Sequence, residues 1–475
     1  MRAHEAGWAH AAVSVRGPSW LREPGDVNQL VPLLWSQTAR KVDGALEVGG
    51  VRLSDLVAEH GSPAYVLDEA DFRARARAFR DGFSQDGTRW QVFYAGKAFL
   101  CTTVARWIAE EGLSLDVCSG GELAVAERAG FPMERVGFHG NNKTVAELEH
   151  AVELGVGRIV VDSFHEIERL ARITRELGRT ARVLVRVTAG VEAHTHEYIA
   201  TAHEDQKFGF SISDGAAMEA VRHVHAAEGL ELIGLHSHIG SQIFDSSGFE
   251  VAARRVLELH ARVSEEIGMV LPEMDLGGGF GIAYTTQDDP SDAAQLATEM
   301  TKIVRDDCAT RGIDVPLLSI EPGRAIAGPA TCTVYEVGTV KAVELDGGAV
   351  RTYVSVDGGM SDNIRTALYD ADYSCTLANR ESDAPPLLVR VVGKHCEAGD
   401  IIVKDEFLPG DVAPGDLVAV PGTGAYCRSM ASNYNHALRP PVVAVLEGRS
   451  RVVVRRETLE DLLATDTDPG PQMEH

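Results

Sequence analysis

Between residues 90 and 320, short apolar runs alternate with helical patterns, and this alternation restricts the fold more than any other feature of the sequence. Within the interval 249–268, Ala252, Val256 and Leu259 share one helical face. Eight strand–helix units in series predict a (β/α)8 TIM barrel, with an open doubly wound sheet as the alternative. The predicted strands are 90–94, 114–117, 135–138, 158–162, 182–187, 231–236, 273–276 and 316–320.

After Pro329 the pattern changes to β-rich runs separated by turns such as Pro409-Gly410, which predicts a mostly antiparallel β-sandwich or barrel domain. The sequence also predicts a hairpin at 44–53, followed by a short helix at 53–60. Because a lone hairpin is barely stable, we expect this hairpin to join the β domain. The predicted divisions are a loose extension at 1–28, a joining segment at 29–62, a barrel at 63–328 and a β domain at 329–475. The runs of the β domain are 334–343, 350–356, 387–392, 416–420 and 442–445.

Charge and cysteine content narrow the class of protein. The 475 residues include 70 acids and 45 bases, a net charge of -25 that disfavours nucleic acid and anionic membranes as partners. Seven scattered cysteines without a C-x-x-C pair disfavour a disulfide framework or a structural zinc site. With no long apolar stretch and no apolar core near the start, the sequence predicts a cytoplasmic enzyme.

The interval 188–213 is long and polar, and its histidines raise the possibility of a metal site. His194, His196 and His203 have a mixed spacing that fits no established ligand pattern. We interpret the interval as a loop at the barrel mouth and predict no metal. Whether this loop closes over a substrate is left open.

The segment Tyr94-Ala95-Gly96-Lys97-Ala98 follows the first predicted barrel strand. A lysine at this position faces the mouth of a site, where a low dielectric lowers its pKa and leaves an amine able to form a Schiff base. A surface lysine is the alternative, and the choice depends on residues downstream.

Two further strand ends carry residues suited to binding a flat, phosphorylated ring. Gly277, Gly278 and Gly279 allow successive backbone N–H groups to face an anion, although a tight turn or a dinucleotide site would also use glycines. Strand alternation sends His236 and His238 to one side, where an imidazole can stack on a ring; paired core histidines are the alternative. Ser241 can donate to a phosphate.

The last barrel strand ends in Glu321-Pro322-Gly323-Arg324. A carboxylate can keep a pyridine nitrogen protonated, which strengthens the ring as an electron sink. Arg324 can bind a phosphate or carboxylate through two nitrogens. A surface ion pair at a turn is the alternative. Together with Lys97, these residues describe a site for pyridoxal 5'-phosphate (PLP).

In this order the motifs resemble the barrel-type PLP-dependent decarboxylases, relatives of the alanine-racemase fold that act on ornithine, arginine and diaminopimelate. The resemblance covers about residues 30–456. It implies that Lys97 forms the Schiff base and that His238 stacks on the ring. Further PLP contacts are implied for Ser241, Gly277, Gly278, Gly279, Glu321, Gly323, Arg324 and Tyr426.

The β domain resembles the diaminopimelate-specific members. The matching segments begin at Asp357, Gly393 and Gly422. Diaminopimelate has an ammonium and a carboxylate at its distal end, so a substrate site needs both a cation and an acid there. The implied substrate residues are Arg324, Arg365, Tyr369, Glu397 and Tyr426.

The resemblance implies decarboxylation of meso-2,6-diaminopimelate to L-lysine and CO2, the last step of lysine biosynthesis, with Cys396 as the acid that protonates the carbanion. It also implies a homodimer in which loops of the β domain complete the site of the other subunit. Two alternatives remain open: the same chemistry on arginine, ornithine or a polyamine precursor, and a PLP carrier or regulator without catalysis. Arg365 and Glu397 argue against the first, and the β domain with its own acid argues against the second.

Overall fold

The structure, a computed structural model, describes residues 17–84, 87–190, 207–244, 247–345 and 349–467. The histidines predicted to lie in a mouth loop and most of the predicted N-terminal extension fall outside these residues. The described chain forms two compact units. The barrel unit comprises Arg73–Ile282 and Asp289–Ala327, and the sheet unit comprises the described parts of Met1–Phe72, Ala283–Asp288 and Gly328–His475.

The strands of the described residues are numbered in chain order. They are β1 (Arg40–Val42), β2 (Ala45–Val48), β3 (Val51–Arg52), β4 (Ala64–Asp68), β5 (Trp90–Ala95), β6 (Ser114–Val117), β7 (Val136–Phe138), β8 (Arg158–Val161), β9 (Ala181–Thr188), β10 (Phe210–Ser211), β11 (Leu230–His236), β12 (Glu273–Asp275), β13 (Leu317–Ile320), β14 (Thr331–Glu344), β15 (Val350–Val356), β16 (Thr376–Leu377), β17 (Pro386–Val392), β18 (Ile401–Pro409), β19 (Leu417–Pro421), β20 (Val442–Leu446) and β21 (Arg449–Val454).

The α-helices of the described residues are numbered in the same way. They are α1 (Leu53–His60), α2 (Glu69–Gly82), α3 (Thr102–Glu110), α4 (Gly120–Ala129), α5 (Val145–Leu154), α6 (Phe164–Leu177), α7 (Ala216–Ala226), α8 (Ser247–Ile267), α9 (Ala293–Arg311), α10 (Arg324–Ala327), α11 (Arg365–Tyr369) and α12 (Leu459–Leu463).

Eight parallel strands close into a barrel, which confirms the predicted fold. Following β5, the hydrogen-bonded order is β6, β7, β8, β9, β11, β12 and β13, and β13 pairs with β5. Each predicted strand overlaps one of these eight. The short strand β10 adds to β9 inside the interval predicted to be a loop. Since the strands are parallel, all of their carboxyl ends meet at one rim of the barrel.

The barrel helices begin and end where local chemistry dictates. Thr144 caps α5, and its side chain and that of Glu147 satisfy each other's backbone N–H groups. Ser163 caps α6 in a similar way, by accepting the N–H of Glu166. Gly155 ends α5 in the left-handed conformation, with φ of 69°. These signals place the loops, and so the strand ends, at defined positions.

A buried polar layer joins three of the barrel strands. Arg158, the first residue of β8, lies 3.3 Å from Glu273 and 3.5 Å from Asp275. Its guanidinium also donates to Ser319 at 3.2 Å. The layer pairs each charge inside a low-dielectric interior, which a buried arginine requires. The cluster extends from the first residue of β8 to Asp275, the last residue of β12, whose Oδ1 accepts the backbone N–H of Gly277 at 2.8 Å.

The sheet unit is mostly antiparallel, as predicted. Its largest sheet follows the order β18, β17, β15, β14, β4, β20 and β21, and β19 and β16 extend from β14. Two of its pairings are parallel, β15 with β17 and β20 with β4. The hairpin β2–β3 and the helix α1 occur where they were predicted. Apolar residues including Trp35, Leu46 and Val334 form the core beside it.

One strand lies in a different unit from the one expected. The barrel is predicted to begin at residue 63, whereas β4 pairs with β14 and β20 of the sheet unit. A short apolar run before a helix looks the same in the sequence whether the strand belongs to the barrel or pairs with strands of another sheet. Only strand pairing distinguishes the two, and pairing depends on residues more than 250 positions away along the chain.

Candidate active site

Polar side chains gather where four barrel strands end. All four residues stand at or just beyond the carboxyl end of their strand, so they meet at the same rim. β5, which precedes the lysine, pairs directly with β13, which precedes the glutamate. The residues, each with its strand, are Lys97 (β5), His139 (β7), His236 (β11) and Glu321 (β13).

Glu321 is the electrostatic centre of this rim. Its Oε1 accepts a hydrogen bond from His236 at 3.0 Å and lies 3.4 Å from His139 Nε2. Burial alone would raise the pKa of Glu321, but His139 and His236 hold that pKa well below its usual range. The lowered pKa favours the ionised carboxylate, the form that can accept a hydrogen bond from a protonated ring nitrogen.

His238 contacts the glycine run through one ring nitrogen. Its Nδ1 accepts the backbone N–H of Gly278 at 3.0 Å, so this nitrogen carries no proton. Desolvation inside the barrel, with Lys97 nearby, lowers the pKa of His238 well below its usual range. Gly277 has φ of 73°, and a Cβ there would lie 2.4 Å from the Ser237 carbonyl oxygen. Only glycine permits this close packing.

Arg324 and Ser241 form a second polar pair at the rim. Arg324 Nη2 donates to Ser241 Oγ at 2.9 Å, and Arg324 is only 7% exposed. Gly323, just before this arginine, packs so closely on β5 that a Cβ would lie 2.9 Å from Ala95 Cβ. The Glu321–Arg324 turn is thus held against the strand that leads to Lys97. A hydroxyl beside a buried guanidinium is a suitable arrangement for binding phosphate.

Lys97 is half-buried and acts electrostatically on its neighbours. Burial raises the pKa of Asp116 well above its usual range, with a further rise from Glu321, and the charge of Lys97 opposes both. Asp116 is fully buried in β6, and its Oδ1 is 3.6 Å from His139 Nε2. Asp116 therefore lies within electrostatic range of Lys97 and next to His139, which lies next to Glu321.

The predicted substrate residues lie in the sheet unit, where Arg365 is enclosed by tyrosines. Its Nη1 donates to the Tyr373 hydroxyl at 2.6 Å, and its guanidinium lies 4.6 Å from the centre of the Tyr284 ring. Arg365 is 6% exposed and begins α11, which Tyr369 ends. The two tyrosines fix the direction of the guanidinium.

The remaining predicted residues occupy loops of the same unit. Cys396 is exposed and Glu397 is half-buried. Asp400 accepts the backbone N–H groups of Met360 at 2.6 Å and of His395 at 2.8 Å, which joins two of the loops that carry the sequence motifs. Tyr426 is half-buried in the turn after β19, with φ of 65°. The predicted site residues thus form two groups, one in each unit.

Comparison with known proteins identifies the family. The sequence profile of the pyridoxal-dependent decarboxylases, pyridoxal binding domain, matches residues 69–328. The diaminopimelate decarboxylase of Mycobacterium tuberculosis (strain H37Rv) is 57% identical over 442 residues, which is 92% of this chain and 98% of the relative. That of Mycobacterium leprae is 54% identical over 476 residues, covering 98% of this chain and all of the relative. The chain belongs to the diaminopimelate decarboxylase family.

Solved structures agree with this assignment. The diaminopimelate decarboxylase of M. jannaschii, in complex with L-lysine, has a TM-score of 0.84 at 30% identity, and the match covers 91% of this chain and 98% of that structure. The Helicobacter pylori enzyme, also with L-lysine, has a TM-score of 0.78 at 29% identity over 87% of this chain and 98% of that one. The decarboxylase is thus a carboxy-lyase with PLP as its cofactor.

The barrel rim of the decarboxylase fits this cofactor. PLP has an aldehyde, a pyridine nitrogen, a flat ring and a phosphate, and each has a suitable group at the rim. Lys97 offers an amine, and Glu321 offers an ionised carboxylate. Arg324 and Ser241 present donors to an anion. His139, His236 and Glu321 also bring three possible metal-ligand atoms within 4.8 Å of one another. Because Glu321 is predicted to pair with the pyridine nitrogen, we interpret this cluster as part of the predicted cofactor site.

Several contacts of the decarboxylase were absent from the sequence predictions. His139 lies next to Glu321, and Asp116 lies next to His139. Tyr284 and Tyr373 enclose Arg365. The signal for His139 was available, because it directly follows a predicted strand and the barrel brings all strand ends together. The tyrosines gave no such signal, since their positions depend on the folding of distant loops. Among the helices of the described residues, none is both long and apolar enough to cross a membrane.

Proposed function

We propose that this chain removes one carboxylate of meso-2,6-diaminopimelate as CO2 and releases L-lysine, the last step of lysine biosynthesis. The observation that carries the proposal is the buried Glu321, hydrogen-bonded to His236 and next to His139, at the rim that also holds Lys97. The names of the relatives support the substrate, as does the bound L-lysine of two similar structures.

In this proposal the barrel residues bind and orient the cofactor. When bound, PLP withdraws into its ring the electrons released by the breaking Cα–carboxylate bond. Lys97 would hold the cofactor through its amine, and Glu321 would keep the ring nitrogen protonated. His238 would lie against the ring, and burial favours its neutral imidazole. The phosphate is assigned to Ser241, Gly277, Gly278, Gly279, Gly323 and Arg324, with Tyr426 as a further contact to the cofactor.

Arg365 is the residue we assign to the distal carboxylate. A buried guanidinium requires compensation, and tyrosine hydroxyls and rings supply only part of it. Among the residues that the structure describes, Arg365 forms no ion pair with a carboxylate, and its Nε is buried without a hydrogen-bond partner. A substrate carboxylate would provide the missing charge. Ornithine has no such group at its distal end.

The distal ammonium and the proton transfer are assigned to neighbouring loops. Glu397 offers a carboxylate for the ammonium, while Arg324, Tyr369 and Tyr426 complete the contacts with substrate. Cys396 supplies a proton to the carbon that has lost CO2. Its exposed thiol lies on the loop that Asp400 holds in place. An exposed donor can take up a new proton from solvent after each turnover.

The substrate proposal is tested by measuring CO2 release from meso-diaminopimelate, ornithine and arginine under identical conditions. We expect release from meso-diaminopimelate with L-lysine as product. Efficient turnover of ornithine would contradict the assignment of Arg365. Cofactor absorbance without turnover of any amino acid would favour the alternative of a PLP carrier.

We further propose that the enzyme is a cytoplasmic homodimer with shared sites. All seven cysteines lie in the described part of the chain and are free thiols, in keeping with a reducing compartment. Lys97 and Cys396 belong to different units, and the family pattern is exchange of loops between subunits. The inactive variants Lys97→Ala and Cys396→Ala are mixed under conditions of subunit exchange. Random mixing makes half of the dimers mixed, each with one intact site, and returns about a quarter of wild-type activity.

Two controls make this mixing experiment decisive. Each variant mixed with itself must stay inactive, and exchange is verified with differently tagged subunits. Confirmed exchange without any recovery of activity would reject shared sites, and it would leave the decarboxylase proposal standing. Sedimentation of the wild type checks the dimer separately.

A further inference from the structure

We propose that His139 is a positioning residue for Glu321: with His236 it fixes one carboxylate oxygen, so that the other faces the cofactor nitrogen. This inference rests on the role proposed for Glu321. The two imidazoles approach the same atom, Oε1, at 3.0 Å from His236 and 3.4 Å from His139. A single contact leaves a carboxylate free to pivot, whereas two contacts from different directions define its plane.

The two imidazoles meet Glu321 from different directions. The rings of His139 and His236 have centroids 5.0 Å apart and are inclined by 68°. They come from separate strands, since His139 follows β7 and His236 ends β11. The contacts described for Glu321 with these rings all go to Oε1. Oε2 is therefore the oxygen left to accept a hydrogen bond from the pyridine nitrogen.

His139 is itself held firmly. Its backbone N–H donates to the Val117 carbonyl at 2.8 Å, which attaches it to β6. The loop that follows is anchored by Lys143, whose buried ammonium donates to Gly140 O at 2.7 Å and to Glu166 at 2.6 Å. Gly137 leaves space for the ring, because a Cβ there would lie 3.2 Å from His139 Nε2. A residue held in this way can position another.

The imidazole of His139 also separates two acids. Its Nε2 lies 3.6 Å from Asp116 and 3.4 Å from Glu321, and both acids are buried. Burial and the charge of Glu321 both raise the pKa of Asp116, whereas His139 and His236 lower the pKa of Glu321. His139 thus favours the arrangement in which Glu321 keeps its charge and the proton resides on Asp116, the acid beside Lys97.

The test compares two nearly isosteric substitutions, His139→Gln, which keeps an N–H donor, and His139→Leu, which has none. The probe is PLP labelled with ¹⁵N at the pyridine nitrogen, whose chemical shift reports protonation without any substrate. We expect the shift of His139→Leu to move toward that of a neutral pyridine, while His139→Gln stays near wild type. His260→Leu is the matched control, a buried barrel histidine whose ring bonds only a backbone carbonyl at 2.9 Å.

Kinetics supply the second measurement. Because His139 acts through Glu321, we expect kcat of His139→Leu to fall about tenfold, less than the loss of a direct donor, with KM nearly unchanged. His139→Gln should recover most of this activity. Should the first pair fold poorly, His139→Asn and His139→Ala give the same contrast at smaller volume.

Two results would overturn the inference. One is a wild-type ¹⁵N shift in His139→Leu, and the other is an equal loss in the donor and non-donor variants, which would indicate a structural role alone. Failure of the proposed function has a different signature. It would appear as a wild-type chain whose bound PLP has a protonated nitrogen but which decarboxylates no amino acid.

Discussion

Glu321 in the barrel unit and Asp362 in the sheet unit are both buried carboxylates that accept hydrogen bonds, yet they favour opposite charge states. Imidazoles hold the pKa of Glu321 well below its usual range, against the effect of burial. Burial raises the pKa of Asp362 to about 7, although the Tyr335 hydroxyl donates to it at 2.5 Å and the Gly359 N–H at 2.8 Å. The donors differ, since imidazoles surround Glu321 whereas a phenol and a backbone amide donate to Asp362. This difference in donors decides which charge state each carboxylate favours.

This difference separates a chemical role from a structural one. Burial lowers the pKa of His139 well below its usual range, so its imidazole favours the neutral form, and the hydrogen bond from His236 is the donor contact that stabilises ionised Glu321. Glu321 therefore stays ionised where a ring nitrogen needs a counter-charge. Asp362 lies three residues before Arg365, and its contacts with Tyr335 and Gly359 hold the start of the segment that carries this arginine. In the barrel unit the buried acid serves as a negative charge, whereas in the sheet unit the buried acid holds the loop that leads to Arg365.

The largest expected effect comes from the barrel unit. Lys97→Ala should lower turnover by more than about a thousandfold, because the residue acts with the rest of the rim as one unit. PLP should still bind through the phosphate contacts, but borohydride treatment should no longer attach it to the chain. The control is Lys302→Ala, which removes an exposed lysine paired with Asp306. Wild-type activity in Lys97→Ala would remove this lysine from the mechanism.

The next effect concerns the sheet unit. Arg365→Ala should raise KM for meso-diaminopimelate by about two to three orders of magnitude, since a desolvated charge pair left without one partner costs about 2–5 kcal/mol. Arg390→Ala is the matched control, a buried arginine of the same unit that has its own acid partner, Asp405, at 3.8 Å. The control should lose stability and keep KM. Equal KM values in wild type and Arg365→Ala would contradict the distal-carboxylate assignment.

A direct comparison of the two carboxylates follows. Glu321→Gln should lower kcat by about ten- to a hundredfold, because an amide cannot keep the ring nitrogen protonated. Asp362→Asn replaces a group that is about half protonated near neutral pH and that holds a loop, so kcat should change by less than about twofold. Steady-state kinetics of both variants provide the check. Equal losses of kcat would erase the distinction between the two units.

Much of this architecture could be predicted from the sequence. The features that could not be predicted depend on contacts between residues far apart in the chain. The eight barrel strands were predictable because their apolar runs and intervening helices are local patterns. The rim residues Lys97, His238 and Glu321 were predictable because strand ends converge. The unit that receives β4 was not, since pairing with β14 joins residues far apart in the chain.

The same limit applies to side chains that are positioned by distant loops. Tyr284 and Tyr373 are separated by almost ninety residues along the chain, yet both enclose Arg365. Their rings are 5.1 Å apart. No spacing rule connects such residues, because the contact exists only after the sheet unit has folded. His139 is an intermediate case, visible at a strand end but lacking a motif of its own.

The smallest predicted effect is a dependence of stability on pH, and it distinguishes Asp362 from Glu321 without any substrate. The pKa of Asp362 is raised in the folded state to about 7, against about 3.9 for an unfolded aspartate. Between these values the folded chain binds a proton that the unfolded chain lacks, so stability falls as pH rises through this window. The slope is at most about 1.4 kcal/mol per pH unit.

Hydrogen exchange of the β14 amides at pH 5 and pH 7 measures this slope of stability against pH. Asp362→Asn should flatten the slope, whereas Asp411→Asn, an exposed acid of the same unit with a lowered pKa, should not. An unchanged slope in Asp362→Asn would show that this carboxylate is ionised when folded, and the contrast with Glu321 would fail.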